Sequence, residues 1–84
     1  MFFISIDMLR VSTTLVKQFP SGVISTWKFG RLPNGWFAAK CLENGHKKYF
    51  RSLKSMEACI RNYTHKYGYQ NTSAILVKQL ALAI

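Results

Sequence analysis

An Asn-Gly pair, Asn44-Gly45, constrains the fold of this chain more than any other feature of its sequence. Strand-like segments flank the pair, at residues 36–42 and 46–53. Asn-Gly between such segments is the strongest short-range signal for a β-hairpin, because a type I′ turn needs positive φ at both central residues. The sequence therefore predicts an antiparallel hairpin with a two-residue turn, in which Lys40 lies opposite Tyr49.

This predicted register sorts the side chains of the hairpin onto two faces. Residues opposite each other share a face, and successive residues alternate between faces. A slip of one residue would bury Lys40 and Arg51, which is costly because a buried unpaired charge loses its hydration. The face expected to lie against the core contains Phe37, Ala39, Cys41 and Phe50, and the other face contains Trp36, Ala38, Lys40, Lys47, Tyr49 and Arg51.

A further strand is predicted before the hairpin, at residues 23–31, which are rich in β-branched and aromatic side chains. It ends at residues 32–35, Leu-Pro-Asn-Gly, where Pro-Asn-Gly suits a turn with one positive φ. If Trp27 and Phe29 point toward the core, Lys28 joins the cationic face of the hairpin. Three antiparallel strands in succession are therefore expected.

An α-helix is predicted after the third strand. Ser55 can cap its N-terminus, Glu57 would lie in its first turn, where the helix dipole favours an acid, and Gly68 can end it with a left-handed residue. Apolar residues recur three and four positions apart, so one face of the helix can lie on the sheet. These residues are Met56, Cys59, Ile60, Tyr63 and Tyr67.

The terminal segments carry weaker patterns. Residues 1–9 alternate as in a half-buried strand, and residues 12–22 show no clear period, so we interpret them as a connector ending in a Pro-Ser-Gly turn. Residues 72–84 predict a short helix that either completes the core or forms a homodimer contact.

Length and composition set the fold class. A chain of 84 residues can close one small core, and 49% hydrophobic and 14% aromatic residues are typical of a chain that folds. We expect a single α+β domain, residues 1–84, with a small three-stranded antiparallel sheet packed on one main α-helix. The sheet and helix form a module at residues 23–69, to which an N-terminal strand (1–9) and a short C-terminal helix (72–84) are added.

The charge of the chain indicates an anionic partner. Twelve Lys and Arg residues against three acids give a net charge of +9, and such a field repels itself unless an anion is near. Nucleic acid is the first expectation, an acidic protein surface the second and an anionic membrane the third. The longest apolar run, residues 74–84, is too short to cross a bilayer, so we expect no transmembrane segment. Among the partners we favour nucleic acid or a host protein and expect no membrane.

Patterns for catalysis and metal binding are weak. His46 and His65 are the only histidines and there are only three carboxylates, so a catalytic triad is hard to assemble. Cys41 and Cys59 lack zinc-ligand spacing and form no disulfide framework, and no secretory signal opens the chain. We expect no metal, no cofactor and no enzymatic activity, and a reducing location in a host cytoplasm or nucleoid. A basic ribonuclease with a histidine base is the remaining catalytic alternative.

Two stretches of the chain resemble the plant ethylene-response-factor type of DNA-binding domain and its relatives in phage homing endonucleases and integrase arm-binding domains. They are GWFAAK, residues 35–40, and YFRSLKSMEACIRNY, residues 49–63, within a resemblance that covers about residues 23–69. In that family the sheet lies in the DNA major groove, which implicates Lys40, Lys47 and Tyr49 here. The chain departs from the family at Arg51, where the family has Gly, and at Lys40, where it has Glu.

The expected function is that of a small basic protein, encoded by a phage or mobile element, that binds nucleic acid, with DNA favoured over RNA. The absence of acids on the predicted cationic face supports this, because a purely solvated sheet surface, which is the plainer alternative, usually mixes charges. Another alternative is a phage-type inhibitor that binds a host enzyme, such as a nuclease, CRISPR or transcription component, through the same face. The predicted nucleic-acid contacts are Lys28, Arg31, Trp36, Lys40, Lys47, Lys48, Tyr49 and Arg51.

Overall fold

The structure is a computed structural model that describes residues 8–72. A five-stranded antiparallel sheet packs against one helix, which confirms the predicted α+β class, although the described sheet has five strands rather than three. The strand order is β4-β3-β2-β1-β5. In chain order the elements are β1 (Arg10–Gln18), β2 (Ile24–Arg31), β3 (Phe37–Cys41), β4 (Lys47–Phe50), α1 (Leu53–His65) and β5 (Gln70–Asn71).

The two predicted terminal elements lie almost wholly outside the described residues. Of the N-terminal strand expected at 1–9, only Met8 and Leu9 are described, and both precede β1. Of the C-terminal helix expected at 72–84, only Thr72 is described.

Strand β1 corrects the prediction that residues 12–22 form a connector. It pairs with β2, with Leu15 opposite Trp27, so the module predicted at 23–69 omits a strand that lies inside the sheet. The chain reverses at Phe19-Pro20-Ser21-Gly22, where the Gly22 N–H donates to the Phe19 carbonyl oxygen at 2.9 Å. Proline fixes φ at the second position of this turn, and Gly22 adopts φ 90° at the fourth.

The turn between β2 and β3 has the same sequence pattern and the same type of hydrogen bond. The Gly35 N–H donates to the Leu32 carbonyl oxygen at 3.0 Å, and Gly35 has φ 89°. The prediction of one positive φ in this turn is therefore confirmed. Two consecutive hairpins are thus closed by turns of the form apolar-Pro-polar-Gly.

The hairpin of β3 and β4 has a different register from the one predicted. Lys40 lies opposite Lys47, not Tyr49, because residues 42–45 form a four-residue loop. The Gly45 N–H donates to the Cys41 carbonyl oxygen at 3.0 Å, and Gly45 has φ 73° whereas Asn44 has no positive φ, so the turn is not type I′. The displacement is two residues, an even number, so every side chain keeps its predicted face.

The N-cap of the helix lies three residues before the predicted cap. Ser52 is the N-cap, and its Oγ accepts the Ser55 N–H at 3.2 Å, so the assignment of Ser55 as the cap was wrong. Glu57 consequently lies beyond the first turn, which contains no acid. At the C-terminus the helix ends at His65 with Lys66 as a right-handed C-cap, so Gly68, although its φ is 77°, lies two residues beyond the cap rather than forming it.

The main core lies between α1 and one face of the sheet, which we call the inner face. Leu15, Phe29 and Ala39 on the strands are fully buried, and Met56 and Tyr63 on the helix pack on them. Cys59 and Ile60 also pack against this core as predicted, whereas Tyr67 lies past the helix and is 49% exposed.

A second, smaller apolar cluster lies on the opposite face of the sheet, which we call the outer face. Leu32 and Ala38 are buried there, with Leu9 packed on them. The sequence had placed Ala38 near the middle of an exposed surface, and had predicted one core. The outer face is therefore partly covered at the end where β2 meets its turn.

Glycine at position 30 permits the close approach of β1 to the outer face. The register of β1 and β2 shifts between Val11 and Thr13. A Cβ atom at Gly30 would lie 2.8 Å from Val11 Cα and would overlap the Arg10 carbonyl oxygen. Only a residue without Cβ fits at position 30, where the backbone of β1 comes this close.

Candidate functional site

Three lysines lie side by side across three neighbouring strands of the outer face. Lys28 on β2 is directly opposite Lys40 on β3, and Lys40 is directly opposite Lys47 on β4. We call these residues the lysine row. Opposite residues in antiparallel strands have Cβ atoms about 4.5–5.5 Å apart, and like charges at this spacing destabilise the sheet.

Two aromatic residues and an arginine border the lysine row on the same face. Tyr49 is opposite Ala38 and is 53% exposed, and Trp36 is 39% exposed. The Arg51 guanidinium lies 5.1 Å from the centroid of the Trp36 ring, a distance typical of a cation–π contact. The lysine row, Trp36, Tyr49 and Arg51 together form what we call the outer cationic face.

Neither carboxylate in residues 8–72 belongs to the outer cationic face. Glu43 lies in the loop after β3, where its Oε1 accepts the Thr26 N–H, and this hydrogen bond lowers the pKa of Glu43. Glu57 is exposed on α1, which covers the inner face. Both carboxylates of the described part of the chain therefore lie away from the outer cationic face.

Two of the eight predicted contact residues, Arg31 and Lys48, lie on the other side of the sheet. Arg31 is opposite Phe37, with its guanidinium 6.0 Å from the centroid of that ring. Lys48 is opposite Ala39, and its ammonium lies 4.7 Å from the centroid of the Tyr63 ring. The remaining six predicted residues are those that the structure brings together.

The placement of Lys48 follows from the alternation of β4 and from the chemistry of its neighbours. Phe50 shares its face, and an ammonium can lie among aromatic rings because their faces carry negative potential. Its interaction with the Tyr63 hydroxyl raises the pKa of Lys48. The sequence pattern alone treated this lysine as one more exposed cation.

The described residues, 8–72, lack the features of a metal site or of a membrane-spanning helix. These residues contain no group of three or more His, Cys, Asp or Glu side chains placed to hold a metal ion. Their two cysteines are free, and burial raises the pKa of the Cys59 thiol. Within the same residues, α1 is too short and too polar to span a bilayer.

No protein-family model, curated protein sequence or solved structure matches this chain. The resemblance to the ethylene-response-factor type of domain therefore stays a prediction.

Proposed function

We propose that this protein binds nucleic acid, with duplex DNA as the expected form, through the outer cationic face. The observation that supports this is the lysine row, in which Lys40 faces a like charge on each side. Such an arrangement works against folding of the sheet, and a row of phosphates relieves the repulsion.

The dimensions of the face suit a groove of DNA. Neighbouring strands lie about 4.8 Å apart, so the row extends about 10 Å, and the major groove of B-DNA is about 12 Å wide and admits a two-stranded β-ribbon. Strands β3 and β4 are the ribbon that carries Lys40, Lys47 and Tyr49. Strand β1 is separated from β3 by β2, so it does not obstruct the edge of the sheet formed by β3 and β4.

Each side chain of the face has a distinct role in the proposed complex. The lysine row and Arg51 contact phosphates, which supply affinity without reading sequence. The exposed ring of Tyr49 reaches bases or sugars, and Trp36 holds the Arg51 guanidinium in place.

Binding can be measured by fluorescence anisotropy with a labelled duplex, a hairpin RNA and a single strand. The test variant is K28Q/K47Q, and the matched control is K54Q/K66Q, which has the same net charge but is altered at the two ends of α1. The test variant is expected to lose about 10-fold or more in duplex affinity while the control loses much less.

Equal affinities for the two variants would refute the proposal. So would failure of the unmodified protein to bind any of the three probes. A host protein retained from lysate after nuclease treatment, together with such a failure, would instead identify an acidic protein partner for this face.

A further inference from the structure

A cavity of about 590 Å³ opens on the inner face, between the tip of the β1–β2 hairpin, the β3–β4 loop and the end of α1. Pockets for small ligands typically measure 300–1,000 Å³. It lies across the sheet from the outer cationic face and shares none of that face's six residues. We call it the aromatic pocket; its lining includes Phe19, Trp27, Tyr67 and Tyr69, with Lys17 and Lys48.

Two lysine ammonium groups are held against the rings of this pocket. Lys48 Nζ lies 4.7 Å from the ring centroid of Tyr63 and 5.5 Å from that of Trp27. Lys17 Nζ lies 4.8 Å from the ring centroid of Phe19. Because each ammonium is already positioned by an aromatic ring, either lysine can bind an anion with little loss of side-chain freedom.

The aromatic rings of the pocket leave surface available to a ligand. Tyr63 is buried, but Tyr67, which meets it edge-on at 5.9 Å between centroids, is 49% exposed, and Phe19 is 37% exposed. The Tyr69 hydroxyl is fixed by a 3.0 Å hydrogen bond with Ser25 Oγ. The pocket thus combines two partly exposed rings, each with a lysine ammonium near it, with a polar pair held by a hydrogen bond.

The charges of the pocket favour a ligand with one compact anionic group. Lys17 and Lys48 supply two positive charges, which match one phosphate group at neutral pH. Glu43 also lines the cavity, and its carboxylate can accept hydrogen bonds from ligand N–H groups but repels an anion at that wall.

We propose that the aromatic pocket binds a nucleoside monophosphate unit. The base stacks on the exposed rings of Tyr67 and Phe19, and the phosphate lies between Lys17 and Lys48. The unit can be a free mononucleotide or the 5′-terminal nucleotide of a single strand, since both present the same base and phosphate. This site is independent of duplex binding by the outer cationic face.

The W36F variant provides a direct optical test, because it leaves Trp27, which lines the pocket, as the only tryptophan. Its fluorescence would be titrated with AMP, with adenosine and with ribose 5-phosphate. We expect AMP to change the fluorescence saturably and to bind about 10-fold or more tightly than either fragment. A 5′-phosphorylated trinucleotide in a parallel titration distinguishes a strand end from a free nucleotide.

Adjacent lysines on opposite faces supply the matched control. In the W36F background, K48Q and Y67A are each expected to weaken AMP binding about 10-fold, whereas K47Q leaves it unchanged. For duplex binding the expectation is reversed, with K47Q weakened and Y67A unaffected. Failure of one proposal is therefore visible separately from failure of the other.

Three results would overturn the nucleotide site. They are the absence of a saturable change with AMP, equal binding of AMP and its fragments, and unchanged affinity in Y67A. Because Tyr67 lies outside the helix and is half exposed, Y67A remains informative even if K48Q fails to fold.

Discussion

Replacing Lys28 and Lys47 by glutamine is expected to make the protein more stable while it weakens nucleic-acid binding. Each of these lysines lies directly opposite Lys40, so K28Q/K47Q removes both like-charge pairs of the lysine row. Two unit charges 5 Å apart in bulk water repel by about 0.8 kcal/mol, which is roughly 1.6 kcal/mol for two pairs. Because long side chains can diverge into solvent, about 1 kcal/mol is the expected gain.

The gain can be measured by thermal and urea unfolding at about 20 mM and 500 mM salt. For a domain of this size 1 kcal/mol corresponds to a rise in Tm of about 4–8 °C. The rise should shrink at high salt, where the screening length falls to about 4 Å. The control K54Q/K66Q removes one cation near each end of α1, where the dipole effects oppose each other, and should change Tm little. A Tm of K28Q/K47Q no higher than that of the control, or a gain insensitive to salt, would refute this reasoning.

Three further outcomes are expected from other parts of the fold. G30A should lower the free energy of unfolding by roughly 3 kcal/mol or more in urea denaturation, since its Cβ would overlap the Arg10 carbonyl oxygen. A loss under about 1 kcal/mol would contradict the close approach of β1 to Gly30. The hydrogen bond from the Thr26 N–H lowers the pKa of Glu43, so the ionised carboxylate stabilises the fold above pH 4.5, its ordinary pKa, and this stabilisation is lost as pH falls through the lowered pKa. In thermal unfolding from pH 6 to 2, the Tm of E43Q should therefore fall less steeply with acid than that of the unmodified protein. Equal falls in Tm would contradict this role of Glu43. Burial raises the pKa of Cys59, so iodoacetamide should alkylate it more slowly in the folded protein than in urea at pH 8.5, and equal rates would count against its burial.

The faces of the β3–β4 hairpin could be predicted from the sequence, but its register could not. Alternation alone assigned Phe37 and Phe50 to one face and Lys40 and Lys47 to the other, and an error of two residues leaves that assignment intact. The loop length depends on contacts outside the hairpin. Glu43 accepts a hydrogen bond from Thr26 of β2, which the local Asn-Gly signal cannot encode.

Strand β1 was missed because its burial is uneven. Leu15 is its only buried residue, so the segment shows no clear two-residue period in hydropathy. Its β-branched content and the turn at 19–22, which repeats the apolar-Pro-polar-Gly form of the turn at 32–35, were the available signals. The two turns are 13 positions apart, close to the spacing of about 8–12 residues at which successive short strands follow each other.

The positions of some site residues follow from strand alternation, whereas others depend on long-range contacts. Six of the eight predicted contacts lie on the outer face because strand alternation determines where they point. Ala38 is buried there because Leu9 and Leu32 fold over it, a long-range contact that periodicity does not report. The aromatic pocket was not predicted, since it joins residues from the β1–β2 hairpin, the β3–β4 hairpin and the end of α1.

The salt dependence of duplex binding is the decisive measurement for the outer cationic face. If the lysine row and Arg51 neutralise four phosphates, the logarithm of the association constant should fall against log salt with a slope of about −3.6. The slope should decrease in magnitude to about −1.8 in K28Q/K47Q and stay near −3.6 in K54Q/K66Q. A flat salt response, or the same slope in both double variants, would contradict binding through this face.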